Sequence, residues 1–139
     1  MFELHPQLAK DCLSLGRLTL CRLLLMNDAN YPWFILVPER EAVREIYELA
    51  DADRHLLWDE SAHLSRALQA GFAPHNLNIA ALGNQVTQLH VHHIVRYTHD
   101  PAWPNPVWGK LPPKAYYGAE PQKLATLMRS LLGDALHTD

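Results

Sequence analysis

Apolar residues are spaced in two ways along this chain. Short, nearly continuous runs occupy the first third and the region around residues 76–97, while helical spacing governs the stretches between and after them. Leu18 to Leu25 is an apolar run bounded by Gly16 and by Asn27-Asp28, and Trp33 to Val37 is a second, stopped by Pro38. Asn30-Tyr31-Pro32 supplies turn chemistry between them, so the two runs predict a hairpin, with a short helical lead-in before it. Arg40 to Leu49 predicts one short helical piece. From Asp53 to about Ala70, residues Leu57, Ser61, Leu64 and Leu68 form a stripe at helical spacing. Asp51 or Asp53 is placed to cap this helix, and Gly71 to end it in a left-handed conformation. Asn76–Ala81 and Leu89–Tyr97 predict two more strands about a turn at Gly83-Asn84, where Gly83 is expected to take a positive φ. A loop rich in Pro and Trp follows from Asp100 to Pro113. The last helix has Pro121 in its first turn and Leu124, Leu127, Met128, Leu131 and Leu132 as its apolar positions.

Strands linked by short turns, with one long helix across a face, predict an α+β architecture: an antiparallel meander of about five strands and a C-terminal helix. The 139 residues suit one domain, 1–139. Hydrophobic residues at 48% and charged residues at 19% fit a packed chain rather than a disordered one. A net charge of −3, with 12 scattered Lys and Arg, argues against nucleic acid as the main partner. Cys12 and Cys21 stand nine apart without a C-x-x-C pair, which supports neither a zinc knuckle nor a redox motif. No apolar run approaches the roughly 18 residues of a membrane span, and the first residues lack a basic region followed by an apolar one. The expectation is a cytoplasmic protein without a membrane partner.

The chemistry concentrates in Gln88-Leu89-His90-Val91-His92-His93. On a strand, side chains alternate, so Gln88, His90, His92 and Ile94 share one face and Leu89, Val91, His93 and Val95 the other. The second set suits a core, with His93 as a hydrogen-bonded core histidine. The first set places two imidazoles about 7 Å apart. A neutral imidazole is a competent nucleophile, and a second one nearby can bind or protonate a reacting anion. The same pair also suits a metal, given a further ligand such as His75, His99, Asp100 or Glu60. Spacing leaves phosphate and metal chemistry open. By its neighbours Asp28 and Asn30, Asn27 reads as a turn residue.

The run Gln88 to Arg96 resembles the signature of the histidine-triad (HIT) family, which alternates three histidines with apolar residues. Leu25-Met26-Asn27, Tyr31-Pro32 and Ile35-Leu36-Val37-Pro38 are similar to that family's nucleotide-binding strand pair, in the same order. Such likeness covers about residues 15–97, and Asp100 to Gly109 resembles a tail in a bacterial branch akin to diadenosine tetraphosphate hydrolases. The resemblance implies a HIT-like fold and cleavage of a nucleoside monophosphate from a dinucleoside polyphosphate or a nucleoside phosphoramidate. His90 would be the nucleophile, forming a covalent nucleotidyl-histidine, with a backbone carbonyl on its other ring nitrogen. His92 would contact the phosphate and assist the leaving group, with Gln88 at the supporting first position. Asn27 would bind the ribose hydroxyls, and Asn78, Gly83 and Gln85 would line the phosphate side. The resemblance also implies a purine nucleotide or nucleotide conjugate as partner, a homodimer, and no metal or cofactor. Two features depart from the family pattern: Gln88 replaces the first histidine, and Trp33-Phe34 replaces a Pro-Gly-His turn. They motivate a rival reading, a nucleotide-binding module with little catalysis, while His90 and His92 keep a metal-dependent hydrolase open. Trp103 and Trp108 are expected to pack the tail or a dimer contact rather than stack on a base.

Overall fold

The structure, a computed structural model, describes residues 1–138. Its elements run α1 (Pro6–Asp11), β1 (Cys12–Arg17), β2 (Cys21–Met26), β3 (Trp33–Pro38), α2 (Asp51–Phe72), β4 (Asn76–Ala81), β5 (Val91–Arg96) and α3 (Glu120–Leu132). The five strands form one sheet in the order β1-β2-β3-β5-β4, with every neighbouring pair antiparallel. This is the expected α+β arrangement with its long helix and C-terminal helix. The up-and-down succession is interrupted once. Because α2 carries the chain across the sheet, β5 rather than β4 lies against β3.

Both faces of the sheet are covered, which explains why every residue of β3 and β5 is buried. On one face, Leu23, Leu25, Phe34, Leu36, Val91 and Val95 pack against Leu57, Leu64 and Leu68 of α2 and Met128 and Leu132 of α3. On the other, Leu24, Trp33, Ile35, Val37 and Ile94 are covered by Leu8 of α1 and by Ala102 and Val107 of the Pro/Trp loop. The second cover is made of short segments rather than long helices.

Several local expectations give way to packing. The short helical lead-in is α1, and the segment after it, Cys12–Arg17, which the apolar pattern did not single out, is an edge strand that shifts register between Ser14 and Gly16. Gly16 has φ +139, and a Cβ there would stand 2.5 Å from the His137 carbonyl oxygen, so the C-terminal segment demands a glycine. Arg40–Leu49 holds only a 3-10 turn, Ile46–Glu48. The long helix starts after Ala50 without a side-chain cap; Asp51 and Asp53 lie inside its first turn and pair with Arg54 and Arg40. Gly71 does not end it. Ala73 takes the left-handed position at φ 45, and Gly71 instead lets α3 approach, since a Cβ there would meet Leu131 Cδ1 at 2.7 Å. Gly83 is not in the left-handed region either; the positive-φ glycines are Gly16, Gly109, Gly118 and Gly133.

Candidate active site

β5 carries the site because its two faces meet different surroundings. His93 faces α2, where its Nε2 meets Ser61 Oγ at 2.7 Å and its Nδ1 meets the Val91 carbonyl at 3.1 Å. It is fully buried with both nitrogens engaged, the core histidine that alternation predicts. Burial lowers its pKa to about 4, so it stays neutral at pH 7.

His90 and His92 face the other side, with ring centroids 4.9 Å apart in an edge-to-face arrangement. Each has one ring nitrogen committed. His90 Nδ1 lies 2.7 Å from the Gln88 carbonyl oxygen, which can only accept, so Nδ1 carries the proton and Nε2 the lone pair. His92 Nδ1 accepts from Trp33 Nε1 at 3.0 Å, and an indole N–H can only donate, so the proton of the neutral ring sits on Nε2. The two partners thus impose opposite tautomers, one nitrogen suited to attack and one to donate. Burial lowers the His90 pKa, against the pull of the Gln88 carbonyl, with His5 adding to the lowering. Burial, then His90 and His93, bring His92 to about 3.

Gln88 begins the same segment, and its half-buried side chain is bonded to the N-terminal residues. Its Oε1 accepts from the His5 backbone N–H at 2.9 Å and its Nε2 donates to the Glu3 carbonyl at 2.8 Å. Gln88 therefore clasps the N-terminal segment, while its backbone carbonyl orients His90.

Beyond His92, a cleft of about 420 Å³ is lined by Met26, Asn27, Trp33, Trp108 and Leu111, among others. Trp33 and Trp108 stand edge-on to one another at 6.0 Å, and each lies within 6 Å of the His92 ring (5.6 and 5.2 Å). Asn27 is exposed at this cleft; its Oδ1 accepts from the Tyr116 backbone N–H at 2.9 Å. A comparable cleft at Arg17, Thr19, Glu39 and Arg40 contains none of the three histidines of β5 and its approach. Gly83 lies in a narrower cleft beside His90, and Gln85 is exposed on the same turn. Asn78 is drawn elsewhere: its Oδ1 accepts from Arg96, which also pairs with Asp100 at 2.8 Å and sits over the Tyr31 and Trp103 rings.

The side chains weighed as further metal ligands have other contacts. Asp100 holds Arg96, and Glu60 accepts from the backbone amides of Leu20 and Cys21 at 2.8 and 2.9 Å. His75 packs on Trp103 and His99 on Tyr97. Among the described residues, no group of three or more His, Cys, Asp or Glu is placed to hold a metal ion. No helix among them is long and apolar enough to cross a membrane.

An antiparallel five-stranded sheet with paired histidines at the start of an inner strand defines a class, and likeness to known proteins names it. The HIT domain model matches residues 7–99, and the chain belongs to that family. It is similar to a histidine triad protein from Marinobacter aquaeolei VT8, at 49% identity over 95% of this chain and 96% of that one, with a TM-score of 0.92. A histidine triad protein from Bradyrhizobium japonicum is 44% identical over 94% and 98% of the two chains, with a TM-score of 0.92. A third, from Sinorhizobium meliloti 1021, is 39% identical over 95% and 98%, with a TM-score of 0.93. The chain has no match among curated proteins.

Alternation along the strand anticipated that His90 and His92 lie together and that His93 turns to the core. Sequence reasoning treated Trp33 only as a departure, although Trp33 sets the protonation of His92. Nothing in the residue order reveals that contact, because it depends on β3 lying beside β5.

Proposed function

We propose that this protein is a nucleotidyl hydrolase or transferase that works through His90. The observation that carries the reading is the pair of opposite tautomers held by Gln88 and Trp33 on neighbouring imidazoles. His90 Nε2 attacks the α-phosphorus of a nucleotide conjugate, forming a P–N bond as the bond to the leaving group breaks. His92 Nε2–H donates to the departing atom. Water then cleaves the nucleotidyl-histidine and releases the nucleoside monophosphate. The apolar and aromatic cleft at Asn27 suits a purine nucleoside, with the free amide nitrogen of Asn27 directed to ribose hydroxyls. Gly83 and Gln85 lie on the phosphate side; Asn78 contributes through Arg96 rather than directly. The substrate class is a dinucleoside polyphosphate, of the diadenosine tetraphosphate type, or a nucleoside phosphoramidate.

Mass spectrometry of the intact protein after brief exposure to both substrate types tests the reading. A nucleoside-monophosphate adduct is expected on the wild type and absent from His90→Asn. Nucleotide binding with neither adduct nor turnover would instead favour a binding module. The engagement of the Gln88 amide by the His5 and Glu3 backbone, rather than by a histidine ring, is the observation on that side.

A homodimer belongs to the same reading. The β1 edge is blunted by a bridge from Arg17 to His137, whereas β4 is an outer strand with Ile79 43% exposed, an edge able to pair with a second copy. Sedimentation at micromolar concentration should give twice the monomer mass; a monomer throughout would remove this part.

A further inference from the structure

We propose that Arg44 binds the phosphate-bearing leaving group, so that the site selects nucleotides whose departing portion is an anion. The inference rests on the nucleotidyl-transfer reading and adds to it which of the two substrate types the site is built for.

Arg44 lies in the loop between β3 and α2, remote in sequence from the histidines, yet it lines a narrow cleft with Gly83, Gln88, Leu89 and His90. The loop is fixed on both sides of it. The Leu89 backbone N–H donates to the Val43 carbonyl at 3.0 Å, tying the loop to the approach of β5. The backbone amides of Arg44 and Glu45 both donate to Glu48 Oε1, at 3.0 and 2.8 Å. Two residues earlier, Ala42 adopts φ 57, a conformation that side-chain-bearing residues rarely take and that persists only where surroundings enforce it. A backbone held this firmly carries a side chain whose guanidinium makes no hydrogen bond or ion pair among the described residues. Glu48 is occupied by amides, and Glu45 is the other charged residue on the cleft wall.

The placement gives the cation a task. The Asn27 cleft adjoins Trp33, which pairs with Ile94 in the second half of β5; the Arg44 cleft adjoins Gln88 and His90, before that strand begins. His90 and His92 lie between. In the proposed pose a nucleoside sits at Asn27 with its α-phosphate on the histidines, and its leaving group extends into the cleft that Arg44 shares with His90. Guanidinium binds phosphate through paired N–H donors and offers little to a neutral amine.

Binding in the non-reacting His90→Asn background separates the contributions. The probes are adenosine monophosphate and a diadenosine polyphosphate with methylene bridges. Adding Arg44→Gln should raise Kd for the polyphosphate about tenfold and leave the monophosphate within about twofold. Arg44→Lys should fall between, since ammonium keeps the charge but not the fork. Equal losses for both probes, or none for either, would overturn the proposal. Arg44 is exposed, and an unchanged melting temperature shows that the variant is folded. If the His90→Asn protein binds neither probe and the wild type forms no adduct, the nucleotidyl reading itself has failed. Adduct formation with unaltered Arg44→Gln binding removes the Arg44 inference alone.

Discussion

His92 and His93 are adjacent on one strand, buried to nearly the same degree, and pushed toward neutrality by the same desolvation, to about 3 and about 4. They differ in what the sheet sets against them. His93 meets a helix serine and a strand carbonyl, so both nitrogens are engaged and the ring joins the core. His92 meets an indole on one nitrogen, and its other nitrogen makes no hydrogen bond among the described residues. Burial alone therefore does not distinguish an imidazole engaged on both nitrogens from one with a nitrogen to spare. The distinguishing quantity is the number of ring nitrogens left without a protein partner, and it is set by the element that covers each face.

The sharpest break of that comparison removes the free nitrogen beside His92. His90→Asn should lower turnover by at least about 10³-fold, with nucleotide affinity retained. Retained turnover, measured with either substrate type, would end the claim that the open face does the chemistry. Trp33→Phe comes next, because it leaves an aromatic ring but removes the donor. We expect kcat to fall about ten- to hundredfold. Freed of its donor, His92 Nδ1 can take a proton, so the ring titrates higher and the acid limb of the pH–rate profile moves up. An unmoved limb would mean that Trp33 only packs.

On the core face the effects are of stability, not rate. Ser61→Ala leaves His93 Nε2 buried without a partner and should cost about 1–3 kcal/mol in denaturant unfolding, with kcat unchanged. A change in kcat with no loss of stability would reverse the assignment of the two faces. Acid acts on both histidines together. Their folded pKa values lie below the roughly 6.5 of an unfolded chain, so above that pH neither state is charged and nothing is lost. As pH falls from about 6.5 toward 4, the unfolded chain takes up protons that the folded one refuses, and stability drops by up to about 1.4 kcal/mol per pH unit for each ring. Thermal melts between pH 7.5 and 4.5 should show the decline; a flat profile would contradict the buried, neutral state. Gln88→Ala should have the smallest effect, a change in kcat within about threefold. Its signature is faster hydrogen exchange at the His5 amide, which loses its acceptor.

Much of this was legible in residue order. Alternation separated His93 from His90 and His92, and the leucine stripe located α2, because periodicity depends only on local geometry. Local signals failed where a distant segment took over their role. Gly71 and Gly16 are glycines because another part of the chain passes within reach of a Cβ, and Ala73 supplies the turn expected of Gly71. Cys12–Arg17 is a strand because β2 offers it an edge, not because of its own composition.

What the sequence determined by itself was therefore most of the elements and the face on which each histidine would lie, since side-chain period follows from the backbone. What only the tertiary structure decided was protonation and neighbourhood. Trp33 reaches His92 across 59 positions and Gln88 reaches His5 across 83, while Arg44 joins His90 from the β3–α2 loop. A tautomer is fixed by the partner of the opposite ring nitrogen. For His92 that partner sits on a different strand, chosen when the crossover through α2 set β5 beside β3.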